Sequence, residues 1–338
     1  MSVLSTRFTE KYRIAHPFAC AGMAFAGGTA DLAIAVTAAG GIGAVGAALM
    51  PAEGLRQIIG QVRKAVGDAP FNINLISYFD TAESVQVCVA ERVPVVSFHW
   101  GHPPSGQIER LRAAGVSVWE QVASAEAART AVEDGVDVVV AQGWEAGGHN
   151  YGGLPTMVCV PAVVDAVGDR ALVLAAGGIT DGRQVAAALC LGADGVWVGT
   201  RLVASTEAQV HPEHHRRLVA ARGADTVRTS VFGPEWPGFN PMRVQRDRVV
   251  AEWHDRVDEV PADRDVLGQV GTTDLGGRRT VLRKFDALPP TPATEADWEE
   301  MPWLMGQGVE LIHDIRPAGE IVRTMMDEAE RVLTRGRP

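Results

Sequence analysis

The sequence predicts an α/β fold: a closed (β/α)8 barrel of the TIM type, with a smaller, mainly helical substrate or lid domain. Three observations predict it. Eight short apolar runs rich in Val, Ile and Ala recur along the first two thirds of the chain. Amphipathic stretches separate them, so strand-like and helix-like segments alternate. No G-x-G-x-x-G follows the first run, as an open dinucleotide-binding sheet would require. Strands apolar on both faces, each followed by a helix, form a parallel sheet covered on both sides. Eight such units close into a barrel.

Each element follows in order. The first strand lies in "RIAHPFACAG", before a helix over 30–39, and the second is "GIGAVG", before a helix over 52–66. "FNINLI" and a helix over 80–91 come next, then "VPVVSFHWG" and 104–114, "VSVWEQV" and 124–134. "VDVVVAQG" precedes a helix over 160–167, "ALVLAAGG" one over 181–191, and "DGVWVGT" one after Thr200. Gly40, Gly115, Gly135 and Gly192 suit left-handed helix caps. The regularity stops near residue 205. Residues 206–310 are richer in Pro, Trp, Asp and Arg and read as a second region, largely helical, capping the barrel mouth. Within it "GGRRTVLRK" reads as a solvated hairpin. Pro317 opens a last helix over 317–334, whose Ile321, Val322, Met325, Met326, Ala329 and Val332 recur at helical spacing. The expected division is a barrel of 1–205 plus 311–338 and a substrate-binding region of 206–310.

Composition excludes several classes. The 338 residues are 46% hydrophobic and 21% charged, with a formal net charge of −10. No Lys/Arg cluster offers a nucleic-acid face. Cys20, Cys88, Cys159 and Cys190 form no CxxC and no zinc-ligand spacing, so they read as buried thiols and no metal is expected. The N-terminus lacks the apolar stretch of a signal peptide, and "LAIAVTAAGGIGAVGAALM" is broken by glycines. The reading is a cytoplasmic enzyme acting on a small molecule, with no membrane partner and a homodimer left open.

The strand ends carry the candidate chemistry. Barrel sites of this type lie at the C-terminal ends of the strands, with phosphate on the loops after strands seven and eight. Those loops hold Gly177 and Gly178, then Gly199 and Thr200, where bare backbone N–H groups reach an anion. Strand six ends at Gln142, followed by "EAGGHNYGGLPT" with Gly147, Gly148 and His149. A glutamine amide suits the polar edge of a planar heterocycle. Asn72 and Asn74 point to one side of strand three, where a ligand edge or a neighbouring side chain satisfies them. His99 and His102, with Ser97 and Trp100, follow strand four and either meet substrate or form a polar loop. His211, His214 and His215 in "HPEHH" read as a solvated helix end. Trp236, Phe239, Trp298 and Trp303 line a lid or anchor the second region. Glu145 supports its own loop through hydrogen bonds to backbone.

"AQGWEAGGH", "LAAGGITDGRQVAAALCLGADGVWVGTRL", "FNINL", "GMAFAGG" and "GQGVELIHDIRPAGEIV" together resemble the nitronate monooxygenase family, formerly 2-nitropropane dioxygenases, over about residues 14–335. The resemblance implies an FMN-binding TIM barrel with a smaller, mainly helical domain. It implies FMN contacts from Ala21, Gly22, Met23, Asn74, Gln142, Gly147, Gly148, Gly177, Gly178, Trp197, Val198, Gly199 and Thr200. His149 would be the active-site histidine, binding the nitro group or acting as base. The implied reaction is oxidation of an alkyl nitronate or propionate 3-nitronate by O2 to a carbonyl compound and nitrite, without metal or nicotinamide. NAD(P)H:quinone reductases and enoyl-thioester reductases use the same FMN frame and supply the alternative. Relatives commonly read A-P-M where this chain has Ala21-Gly22-Met23, which loosens the turn under the flavin.

Overall fold

The computed structural model describes residues 2–48, 50–275 and 277–335. After a first helix α1 (Arg7–Tyr12), strands and helices alternate as β1 (Phe18–Cys20), α2 (Ala30–Ala38), β2 (Gly43–Gly46), α3 (Ala52–Val66), β3 (Phe71–Ile76), α4 (Ala82–Ala90) and β4 (Val95–His99). Then come α5 (Ser105–Ala113), β5 (Ser117–Val122), α6 (Ala125–Glu133), β6 (Val138–Gln142), a two-residue strand β7 (Gly148–His149), α7 (Thr156–Val167), β8 (Leu172–Ala176), α8 (Gly182–Cys190), β9 (Gly195–Val198) and a single turn α9 (Thr200–Val203). All but β7 form one parallel sheet in the order β1-β9-β8-β6-β5-β4-β3-β2. Its two edges meet: Cys20 N donates to Ile42 O at 2.8 Å and Ile42 N to Phe18 O at 2.9 Å, so the sheet is a closed barrel.

Alternation along each strand divides the core. Ala19, Val95, Trp119, Val138, Val140, Leu174 and Trp197 pack together inside the barrel. Their chain neighbours Phe18, Val96, Val118, Val139, Val173, Val196 and Val198 pack outward against the helices. The N-terminal end of the barrel is plugged by α1, which the sequence reading does not anticipate. Thr6 and Thr9 form a capping box at its start. Its Phe8 is fully buried among the interior residues, edge-on to Trp119 at 5.5 Å.

After α9 the chain forms α10 (Pro212–Ala220), β10 (Thr226–Thr229), β11 (Met242–Gln245), α11 (Arg248–Trp253), β12 (Gln269–Leu275), β13 (Arg278–Arg283) and β14 (Glu295–Ala296), joined by 3-10 turns. Two three-stranded antiparallel sheets stand here, β10-β11-β7 and β13-β12-β14. The expectation of a largely helical region leaves these sheets out; only the hairpin of β12 and β13 is foreseen. Strand β11 returns to pair with β7, setting Met242 opposite His149. The last helix, α12 (Ala318–Arg335), lays Ile321, Val322, Met325, Met326 and Ala329 against α8 and α2. Cys20, Cys88 and Cys159 are buried, but Cys190 is exposed, contrary to the reading that all four are interior. Among the described residues no helix is long and apolar enough to cross a membrane.

The α8–α12 contact depends on a missing side chain. A Cβ on Gly182 would lie 2.4 Å from the Met325 carbonyl oxygen. Gly60, exposed within α3, has nothing within 4 Å of its would-be Cβ. Gly182→Ala is expected to cost about 1–3 kcal/mol, and Gly60→Ala to add about 0.5–1 kcal/mol. Urea unfolding midpoints check both, and equal midpoints for the two variants would contradict this packing.

Candidate active site

A cavity opens at the C-terminal ends of the barrel strands. Ala21, Gly22, Met23, Asn74, His99, Gln142, Gly147, Gly148, His149, Gly177, Gly178, Trp197, Gly199 and Thr200 all line it. Val198 and His102 do not, nor do Asn72, Ser97 and Trp100. Val198 packs outward in the helix-facing core, because it alternates with Trp197. His102 leaves the mouth: its Nδ1 lies 2.8 Å from Glu120 Oε2 and its Nε2 2.9 Å from Asp134 Oδ2. Glu120 alternates with cavity-lining Gln121, so it faces away from the cavity. Burial pushes the Glu120 carboxyl up to about 7, even beside His102.

The loop after β6 is pinned from several directions. Gln142 Nε2 donates to His149 O at 3.3 Å. Asn150 Nδ2 donates to the Gly143, Trp144 and Ala146 carbonyls. Glu145 Oε2 accepts from Thr156 N at 2.8 Å, and the single Thr156 hydroxyl proton lies between Glu145 Oε2 at 2.8 Å and Gly177 O at 3.0 Å. Glu145 therefore ties this loop to the one after β8. Arg243 donates to Trp144 O at 2.8 Å and Arg228 to Gly152 O at 2.9 Å, holding the loop from the side of β10 and β11.

A segment in which the sequence reading names no site residue closes over these loops. Gly306 N donates to Thr200 Oγ1 at 3.0 Å, Gln307 N to Glu145 O at 2.9 Å, and Thr180 Oγ1 to Gly308 O at 3.0 Å. A Cβ on Gly147 would sit 2.3 Å from Gly306 N, and one on Gly308 2.2 Å from Thr180 Oγ1. The spaced glycines of "MGQG" are the signal that could have pointed here.

Aromatic rings surround the histidine. Phe239 stacks on His149 with centroids 3.7 Å apart and planes at 21°. Trp100 meets His149 edge-on at 5.5 Å. Trp100 has φ +63°, a costly conformation for a bulky residue, and its Nε1 donates to Gly238 O at 2.7 Å. Phe79, Trp236 and Phe239 join the cavity wall, so two of the four region-two aromatics are site residues; Trp298 and Trp303 pack elsewhere. Gln121, which the sequence reading misses, places its Nε2 2.7 Å from His99 Nδ1.

Desolvation sets the protonation of both rings. Burial lowers His149 to about 3, with a smaller contribution from His99, and lowers His99 to about 4. Both are neutral near pH 7. Among the described residues lining the cavity none is Asp, Glu, Lys or Arg. "HPEHH" corrects the solvated-end reading. His211 caps α10 and His215 Nε2 reaches Val203 O, but His214 is 2% exposed and lines the cavity. Among the described residues no cluster of His, Cys, Asp and Glu suits a metal.

The amide nitrogens of β3 are held by protein, while Asn72 Oδ1 is buried without a partner. Ser97 Oγ accepts from Asn72 Nδ2 and Asn74 Nδ2, each at 2.8 Å. Asn74 lies so close to the first loop that a Cβ on Gly22 would stand 2.1 Å from its Cγ. The glycine at this position therefore makes room for Asn74.

The residues fit a bound flavin. Gln142 Oε1 is buried without a partner in the cavity wall. Gly177 and Gly178 after β8 and Gly199 after β9 bring backbone without a side chain to the cavity. A closed parallel barrel with these features is the frame of a flavin-dependent oxidoreductase. A family model described as nitronate monooxygenase matches residues 5–84 and 76–328, and the chain belongs to that family. Its members are flavoproteins, and the chain is a flavin-dependent oxidoreductase. It is 38% identical over 250 residues to the (3aS,4S,5R,7aS)-5-hydroxy-7a-methyl-1-oxo-octahydro-1H-indene-4-carboxyl-CoA dehydrogenase of Mycobacterium tuberculosis, an alignment covering 73% of this chain and 68% of that one. The nitronate monooxygenase of Pseudomonas aeruginosa is 28% identical, over 96% of this chain and 99% of its own. Among solved structures, FabK from Thermotoga maritima superposes with TM-score 0.80 at 34% identity, covering 99% of both chains.

The Gly22–Asn74 contact yields a double-mutant test. Gly22→Ala is expected to destabilise the protein by about 1–3 kcal/mol by overpacking. Asn74→Ala in the same chain should recover part of that loss. Thermal unfolding of the four proteins checks the coupling; strictly additive effects would contradict the contact.

Proposed function

We propose that the chain binds FMN at the barrel mouth and oxidises alkyl nitronates with O2 to a carbonyl compound and nitrite. One observation carries this reading. His149 is a neutral imidazole in a wall without charge, packed on Phe239, with Nε2 buried and unpartnered. A nitronate oxygen is the acceptor such a ring can serve by donating N–H. Backbone of Gly177, Gly178 and Gly199, with Thr200, would hold the phosphate. Gln142 would meet the polar edge of the ring system, and Ala21, Met23, Gly147 and Gly148 would pack beside it. Bound FMN supplies a route for electrons from substrate to O2.

The depressed basicity of His149 bears on the substrate. A conjugate acid near 3 makes a weak base for a neutral nitroalkane. The site therefore suits a substrate that arrives already ionised. With no Lys or Arg in the described wall, a second anionic group would be buried unpaired. This supports alkyl nitronates over propionate 3-nitronate.

A second reading is an NAD(P)H-dependent reductase of quinones or enoyl thioesters. Similarity to FabK along the full chain and to a dehydrogenase of a CoA thioester favours it. The two separate in one cuvette. The first predicts flavin absorbance as isolated, nitrite release from an alkyl nitronate with O2 uptake, and no rapid anaerobic bleaching by NADH or NADPH. Rapid bleaching without nitrite from any nitronate would establish the second instead. His149→Phe, which removes the N–H donor, is expected to lower kcat/KM for the nitronate by about 10²–10³-fold. The wild-type kcat/KM profile should show no acid limb near pH 6.5, because the free ring titrates near 3.

A further inference from the structure

The cavity also has an aliphatic side. Val203, Val210, Leu288, Pro289, Leu304 and His214 line it. Val203 and Val210 are buried and share a packed cluster with Met23, Leu288 and Trp303. Among the described residues of this wall, His214 is the one ionisable side chain. Its Nε2 lies 3.1 Å from Leu304 O. A carbonyl only accepts, so Nε2 carries the proton. Burial lowers the ring to about 4, so it holds no second proton near neutral pH. Nδ1 is then a bare acceptor, and it is buried with no partner. Trp303 packs edge-on against the ring at 5.4 Å. A buried acceptor left unmade is costly, and the fold does not use this one.

We propose that this wall is a subsite for a neutral, apolar tail of the substrate, and that His214 Nδ1 accepts a hydrogen bond from an N–H or O–H on that tail. The inference rests on the cavity being the flavin-and-substrate site, not on the nitronate chemistry. His214 is a specificity residue in this account. An aliphatic chain fills the wall, and its polar group must donate. A carboxylate in the same place faces a lone pair and finds no cation.

Three eight-carbon probes separate the alternatives: octanamide, which donates; methyl octanoate, which does not; and octanoate, which is charged. Isothermal titration of the flavin-loaded protein, with no nitronate present, measures binding alone. Loss of nitrite production would thus fail the function proposed above without touching this test. Octanamide is expected to bind roughly tenfold more tightly than the ester, about 1.4 kcal/mol, with octanoate weakest. His214→Phe and His214→Leu both remove the acceptor, one keeping a ring and one not. In either variant that folds, judged by circular dichroism, the amide-to-ester ratio should fall to about one. Equal binding of amide and ester by the wild type, tightest binding of octanoate, no binding of any probe, or an unchanged ratio in a folded variant would each overturn the proposal. The wild-type comparison stands even if neither variant folds.

Discussion

The constraint on which the site depends is the absence of charge from the described wall of the mouth cavity. Water is replaced there by aromatic rings, aliphatic side chains and bare backbone, and any ionised group inside would lose hydration without gaining a partner. Three imidazoles in this wall stay neutral as a result: His99, His149 and His214. Each becomes a directed donor and acceptor in place of a cation. An anion in such a cavity would be held by N–H groups, and at the ends of β8 and β9 glycine-exposed backbone, not arginine, faces it.

The barrel creates this environment by alternation. Each strand sends one set of side chains to the interior and the other to the helices, so polar residues divide sharply over one position. Gln121 reaches the cavity and hydrogen-bonds His99, while its neighbour Glu120 is turned outward to His102. The lower end is sealed by Phe8 of α1 and the upper rim by the 305–308 segment, which joins the loops after β6, β8 and β9. The contact is close enough that Gly147 and Gly306 exclude a side chain from each other. Strand β11 then fixes His149 through backbone pairing while Phe239 fixes its ring.

Much of this was legible in the sequence, and what was not has physical reasons. Eight Val- and Ala-rich runs mark the barrel strands, because parallel strands are apolar on both faces; helices such as α3 carry a clear amphipathic period. The glycine loops and His149 follow from counting strands. Pairing between β7 and β11 does not, since it joins segments far apart in the chain with no local signature. The destination of His214 is equally hidden: one helical turn of "HPEHH" reads as solvent-facing until a partner wall is known. His102 shows the reverse error, as a loop histidine near the mouth was drawn to two carboxylates on the outer layer. Asn74 needed its neighbour Ser97 to be seen, and Gly22 needed Asn74.

The neutrality of His149 is the most directly measurable consequence of an uncharged cavity. Nitrogen-15 NMR of histidine-labelled, flavin-loaded protein, with the His149 signals assigned by their loss in His149→Gln, follows its ring between pH 8 and 5. The account predicts a neutral imidazole throughout, with shifts that do not move toward the imidazolium values. A titration with a midpoint near 6.5, the value of an ordinary histidine, would contradict it.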